Sequence, residues 1–61
     1  MFKVEIKTGG AAFRDEDGEL DPYGYEVRKS MKMIIECLRD GAHSGSIIDT
    51  NGNKVGEWSY E

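Results

Sequence analysis

The stretch Ser44-Gly45-Ser46-Ile47-Ile48-Asp49-Thr50-Asn51-Gly52-Asn53-Lys54-Val55-Gly56-Glu57-Trp58-Ser59-Tyr60 decides the fold. Asn51-Gly52 lies between two runs that carry β-branched and aromatic residues. Asn-Gly is the strongest short-range hairpin signal, because tight turns between strands need residues that tolerate positive φ. Residues 44–60 are therefore expected to form a β-hairpin. Two registers fit: a two-residue type I′ turn pairs Ile48 with Val55, and a type I turn with Gly52 as a bulge pairs Ile47 with Val55. In both, Ile47 and Ile48 point to opposite faces of the sheet, since side chains alternate along a strand.

Upstream of the hairpin, residues 21–40 predict a helix. Asp21 is placed to accept the free amide hydrogens of a first turn, and Pro22 is tolerated at the first helical position. At 100° per residue, Leu20, Gly24, Val27, Met31, Ile34, Ile35 and Leu38 fall in one stripe that should be buried, with Arg28, Lys32 and Arg39 along its side. Gly41 supplies a left-handed residue to end the helix. At the N-terminus, Phe2, Val4 and Ile6 alternate with Lys3, Glu5 and Lys7, which predicts a strand over 2–8 with one buried face. Between strand and helix, Gly9, Gly10 and five acids in Arg14-Asp15-Glu16-Asp17-Gly18-Glu19-Leu20-Asp21 offer little to bury, and residues 9–20 are expected to be a mobile acidic loop. No internal repeat or low-complexity tract is evident.

The order strand, loop, helix, strand, strand implies an α+β fold of the β-α-β-β type. The crossing over the helix is most easily satisfied by a three-stranded antiparallel sheet with the C-terminal strand central and the helix on one face. The other face has nothing to cover it, so Ile47 or Ile48, Trp58 and Tyr60 are expected to leave an apolar cluster there as a protein-contact surface.

Sixty-one residues suffice for a single domain, 1–61, which recovers only about 60% of its unfolded surface on folding. With 38% hydrophobic and 33% charged residues the composition is that of a folded protein. No window approaches the ~20 apolar residues of a membrane span, and the alternating N-terminus does not read as a signal peptide. The expectation is a cytoplasmic protein without membrane contact. Cys37 is the only cysteine, which excludes an internal disulfide and a cysteine-clustered zinc site.

The residues that invite a chemical reading are few. Asp15, Asp17, Glu19, Asp21 and Glu26 mimic the ligand spacing of an EF-hand, but the sixth position, where the sharp turn needs glycine, is Leu20. Asp49-Thr50-Asn51-Gly52-Asn53 is ligand-rich in the way any tight turn is. No metal or other cofactor is expected. Cys37 with His43 could form a nucleophile and base, yet Cys37 sits toward the end of the helix where the dipole opposes a thiolate; no enzymatic activity is expected. Gly9-Gly10 lacks the further glycine and lysine of a phosphate loop. Arg28, Lys32 and Arg39, with Tyr25 and Lys29 nearby, could contact phosphates, but the net charge of −4 opposes the counterion-release term on which nucleic-acid affinity rests.

The pattern Ser-Gly-x-Ile-x-Asp-x-Asn-Gly-Asn-x-Val-Gly-x-Trp over 44–58, with Phe2-Lys3-Val4-Glu5-Ile6-Lys7-Thr8 and Ala11-Ala12-Phe13, resembles a group of small uncharacterised proteins encoded on prophages and conjugative elements of Gram-positive bacteria. The resemblance implies a β-α-β-β fold and a mobile-element setting, and no activity. Tyr23, Gly24 and Tyr25 depart from it, where an alanine-rich first turn is more usual. The expected function is accordingly that of an accessory protein of a mobile genetic element acting through protein contacts or self-association, with Ile47, Ile48, Trp58 and Tyr60 as contact residues. The alternative is a nucleic-acid-associated regulator using Arg28, Lys32 and Arg39.

Overall fold

The computed structural model describes residues 1–61. It runs from strand β1 (Phe2–Ile6) through a single 3-10 turn (Ala11–Phe13) to helix α1 (Tyr25–Arg39), then strands β2 (Ser44–Ile48) and β3 (Lys54–Tyr60). The sheet is three-stranded and antiparallel in the order β1-β3-β2, so the C-terminal strand is central, as expected. No helix is long and apolar enough to cross a membrane.

The observed register joins the two sequence alternatives: Ile48 facing Lys54 continues the bulged type I turn, Ser44 to Ile47 facing Ser59 to Gly56 keep the register of the two-residue turn, and Val55 faces neither isoleucine. The turn Asp49-Thr50-Asn51-Gly52 starts as a type I turn with Gly52 at φ 83°, and Ile48 faces Lys54. The pairing then shifts, so that Ile47 faces Gly56 and not Val55. Val55 is the extra residue of a β-bulge, and its C=O accepts Lys7 N–H at 2.7 Å. The bulge sets aside the two-residue alternation. Val55 and Trp58, three apart and therefore on opposite faces of a regular strand, both turn toward the helix and are buried.

The core consists of Phe13, Ile34, Ile47, Val55 and Trp58, with Val4, Ile6, Ala12, Val27, Cys37, Leu38 and Ala42 packed around it. The sequence places Phe13 in the expected mobile loop, 9–20. Instead the 3-10 turn drives its ring into the core, where it is 2% exposed.

The remainder of 9–20 is also folded, and the reason is a turn that the chain builds three times. Asp15-Glu16-Asp17-Gly18-Glu19, Asp21-Pro22-Tyr23-Gly24-Tyr25 and Asp49-Thr50-Asn51-Gly52-Asn53 share the pattern Asp-x-x-Gly-x. In each, the glycine N–H donates to the aspartate C=O at 3.1, 3.2 and 3.0 Å. The aspartate carboxylate accepts the N–H groups two and four residues on, and the glycine takes φ of 79°, 58° and 83°. Aspartate supplies the side-chain acceptor, and glycine alone adopts the left-handed conformation without strain. The first copy closes a small hairpin in which Asp15 N–H donates to Glu19 C=O and Asp21 N–H to Phe13 C=O.

The second copy moves the helix start. Asp21-Pro22-Tyr23-Gly24 is a turn with aspartate first, proline second and glycine fourth, the arrangement type I turns favour. Left-handed Gly24 precedes the helix, which begins at Tyr25 rather than Asp21. The buried face of α1 is also not the expected stripe. Glu26, Ser30 and Ile34 are buried and Val27, Cys37 and Leu38 partly so, whereas Met31, Ile35 and Leu20 are exposed. On a helical wheel the buried arc is turned by roughly 70° from the predicted one, less than one residue step.

Candidate protein-contact site

The outer face of the sheet does not carry the expected apolar cluster. Its residues are Lys3 and Glu5 from β1, Glu57 and Ser59 from β3, and Ser44 and Ser46 from β2, paired across the strands, with Ile48 as a lone apolar side chain at the turn end. Of the four proposed contact residues, Ile47 (2% exposed) and Trp58 (4%) lie in the core and are removed from the surface. The physical reason is the bulge at Val55, which sets the parity of β3 so that Trp58 faces the helix. Ile48 and Tyr60 are exposed but apart: Ile48 is next to the hairpin turn, and Tyr60 packs edge-on against Phe2 and His43 at the far end of the sheet.

Apolar surface is concentrated instead on α1. Met31 (38% exposed) and Ile35 (55%) are one helical turn apart and lie on the same side. On the wheel the next positions round are Arg28, Arg39 and Lys32, so the apolar pair has a basic border. The arginines are oriented by the chain. Arg28 Nε donates to Tyr23 C=O at 3.1 Å, and its guanidinium lies 5.9 Å from the Tyr25 ring centroid. Arg39 Nη1 bonds Glu36 Oε1 at 3.2 Å. Lys32 enters no ion pair within the chain. Arg28, Lys32 and Arg39 are thus brought to one side of the helix. An unbroken amphipathic stripe predicts Met31 and Ile35 in the core, and the structure leaves both exposed.

The N-terminal turn of α1 is set by Asp21. The N–H groups of Tyr23 and Tyr25, with the Arg28 charge beyond them, hold its carboxyl below the ordinary aspartate value. Its negative charge there also complements the helix dipole. Among the acids that imitate calcium ligands, the carboxylates of Asp15, Asp21 and Glu26 accept backbone N–H groups, and Asp49 does the same in the hairpin turn. No group of three or more His, Cys, Asp or Glu side chains converges as a metal site. Cys37 is half-buried against the core, and His43 is exposed in the connection after α1.

No family model, curated protein or solved structure matches the chain.

Proposed function

We propose that this chain is a non-catalytic protein-contact module, an accessory protein of the mobile-element kind that the Ser-Gly-x-Ile-x-Asp-x-Asn-Gly-Asn tail resembles. The observation that carries the reading is the distribution of apolar side chains. Five are buried, while ten large ones are exposed, with Met31 and Ile35 side by side on the middle of α1. Single exposed apolar residues are ordinary, but an adjacent pair with a border of one charge sign is what a contact site needs. The border of Arg28, Lys32 and Arg39 selects a partner surface that is apolar at its centre and acidic at its edge. An antiparallel pairing of α1 with itself would bring like borders together, which disfavours a second copy on this surface.

The test is a pair of baits, the wild-type chain and Ile35→Lys, with Lys32→Glu as a third. A partner retained by the wild type and lost by both variants, whose thermal unfolding is unchanged, supports the reading. Equal retention of every captured protein by all three baits rejects it.

One observation favours a second reading. Tyr25, Arg28, Lys29 and Lys32 line a common shallow basin, which combines an aromatic face with three cations as single-stranded nucleic-acid sites do. Fluorescence anisotropy of labelled single-stranded DNA and RNA separates the two. Saturable binding that is lost in Lys32→Glu and kept in Ile35→Lys selects nucleic acid over protein.

A further inference from the structure

β2 is an edge strand of five residues, Ser44-Gly45-Ser46-Ile47-Ile48, with no lysine, glutamate or proline on it. These are the residues by which natural sheets guard an edge against pairing. Its hydrogen-bonding side is readable from the ladder. His43 C=O accepts Tyr60 N–H at 2.7 Å, and the antiparallel alternation then directs Gly45 and Ile47 toward β3 and leaves the N–H and C=O groups of Ser44, Ser46 and Ile48 directed outward. We propose that this open edge pairs antiparallel with β2 of a second copy, joining two sheets into one of six strands. This surface is separate from the Met31–Ile35 pair, and the proposal does not depend on that reading.

Two features on the page select a second copy as the occupant. The first is the wall above the edge. Met33, 44% exposed, borders the same crevice as Ser30, Cys37, Ser46, Ile47 and Trp58. The crevice measures about 20 Å³, too small to admit the side chain of a foreign peptide, and strand addition gains its sequence specificity from such pockets. A self-pairing strand needs none, because a two-fold axis matches each residue to its own counterpart.

The second feature is charge. With the axis at Ser46, Ser46 faces Ser46 of the second copy and Ser44 faces Ile48. Met33, beside Ser46, then lies near the axis as well. Lys29 and Glu36 are four residues before and three after Met33, on the same side of α1; beyond their contacts within the chain, to Thr50 Oγ1 and from Arg39 to Glu36 Oε1, the two-fold directs Lys29 of each copy toward Glu36 Oε2 of the other. Opposite charges meet where the basic border on the far side of the helix would have set like charges together.

Sedimentation velocity of the full chain at up to ~1 mM, the range where a weak dimer populates, tests this with three variants. Ser46→Pro blocks the edge without removing a ladder bond within the chain, since the Ser46 N–H faces outward. It should leave the far-ultraviolet circular dichroism unchanged and abolish the dimer. Glu36→Lys should weaken the dimer about tenfold or more, and Ile35→Lys should leave it intact. A wild-type chain that stays monomeric throughout overturns the proposal, and so does a dimer that survives in folded Ser46→Pro, that is not weakened in Glu36→Lys, or that is lost in Ile35→Lys. Should Ser46→Pro fail to fold, the Glu36→Lys and Ile35→Lys results alone decide.

Discussion

The Glu26 carboxylate, 4% exposed, accepts the backbone N–H of Thr50 at 2.8 Å and so fastens the first turn of α1 to the β2–β3 turn. Lys29 reinforces the tie, donating to Thr50 Oγ1 at 2.7 Å while standing 4.0 Å from Glu26 Oε2. Ser30 Oγ donates to Glu26 C=O at 3.0 Å. A charged group is placed where a core residue would be expected because it satisfies a turn amide that has no strand partner.

Glu26→Ala leaves that amide unpaired and should cost about 2–3 kcal/mol. Glu26→Gln keeps an acceptor oxygen and should cost less. Urea midpoints of the two variants check this, and an unchanged midpoint for Glu26→Ala would show that the tie contributes nothing.

Gly56 is required by the closeness of β1. A Cβ built on it would lie 1.8 Å from the Glu5 C=O oxygen, a backbone atom that cannot swing aside. Gly56→Ala should therefore destabilise the domain by about 3 kcal/mol or more. Gly9, with nothing within 4 Å of its Cβ position, serves as the control, and Gly9→Ala should change the midpoint by less than about 0.5 kcal/mol.

Trp58 occupies the central strand beneath the helix and touches the Phe2 ring at a centroid distance of 6.4 Å. Trp58→Ala should cost about 3–5 kcal/mol. A loss below about 1 kcal/mol on chemical denaturation would place Trp58 outside the core.

Asp21 makes stability depend on acid pH. Its carboxyl titrates lower in the folded chain than the ordinary aspartate value because the folded charge accepts the Tyr23 and Tyr25 amides. Between the two values the unfolded chain binds more protons, so stability rises with pH there. The contribution is complete above the ordinary value and is lost as pH falls through the folded one. Asp21→Asn should flatten this part of the stability–pH curve, and carbon-13 titration of the Asp21 carboxyl should give a midpoint below that of a model peptide. A midpoint at or above the peptide value would remove this contribution.

The element order, the central position of β3 and the hairpin at Asn51-Gly52 are local or combinatorial properties, and the sequence by itself determined them. Alternation marks β1, Asn-Gly marks the turn, and handedness leaves one simple place for the last strand. The three Asp-x-x-Gly-x turns were equally written in the sequence, since each needs only an acceptor at one end and a positive φ at the fourth residue. Read separately as a calcium-like loop, a helix cap and a hairpin turn, they did not show their common geometry.

Which side chains face the core was decided by the tertiary structure alone. The bulge at Val55 depends on how β3 pairs with β2, and a shift of one residue reverses every face beyond it. That shift took Trp58 and Ile47 into the core and left serine, lysine and glutamate on the open sheet face. The rotation of α1 has the same origin. Its own pattern favoured Met31 and Ile35 as buried residues, but Phe13 from one side and Thr50 from the other fixed which arc met the sheet. Contacts between residues far apart in the chain outweigh a local amphipathic preference whose alternatives differ by less than one residue step on the wheel.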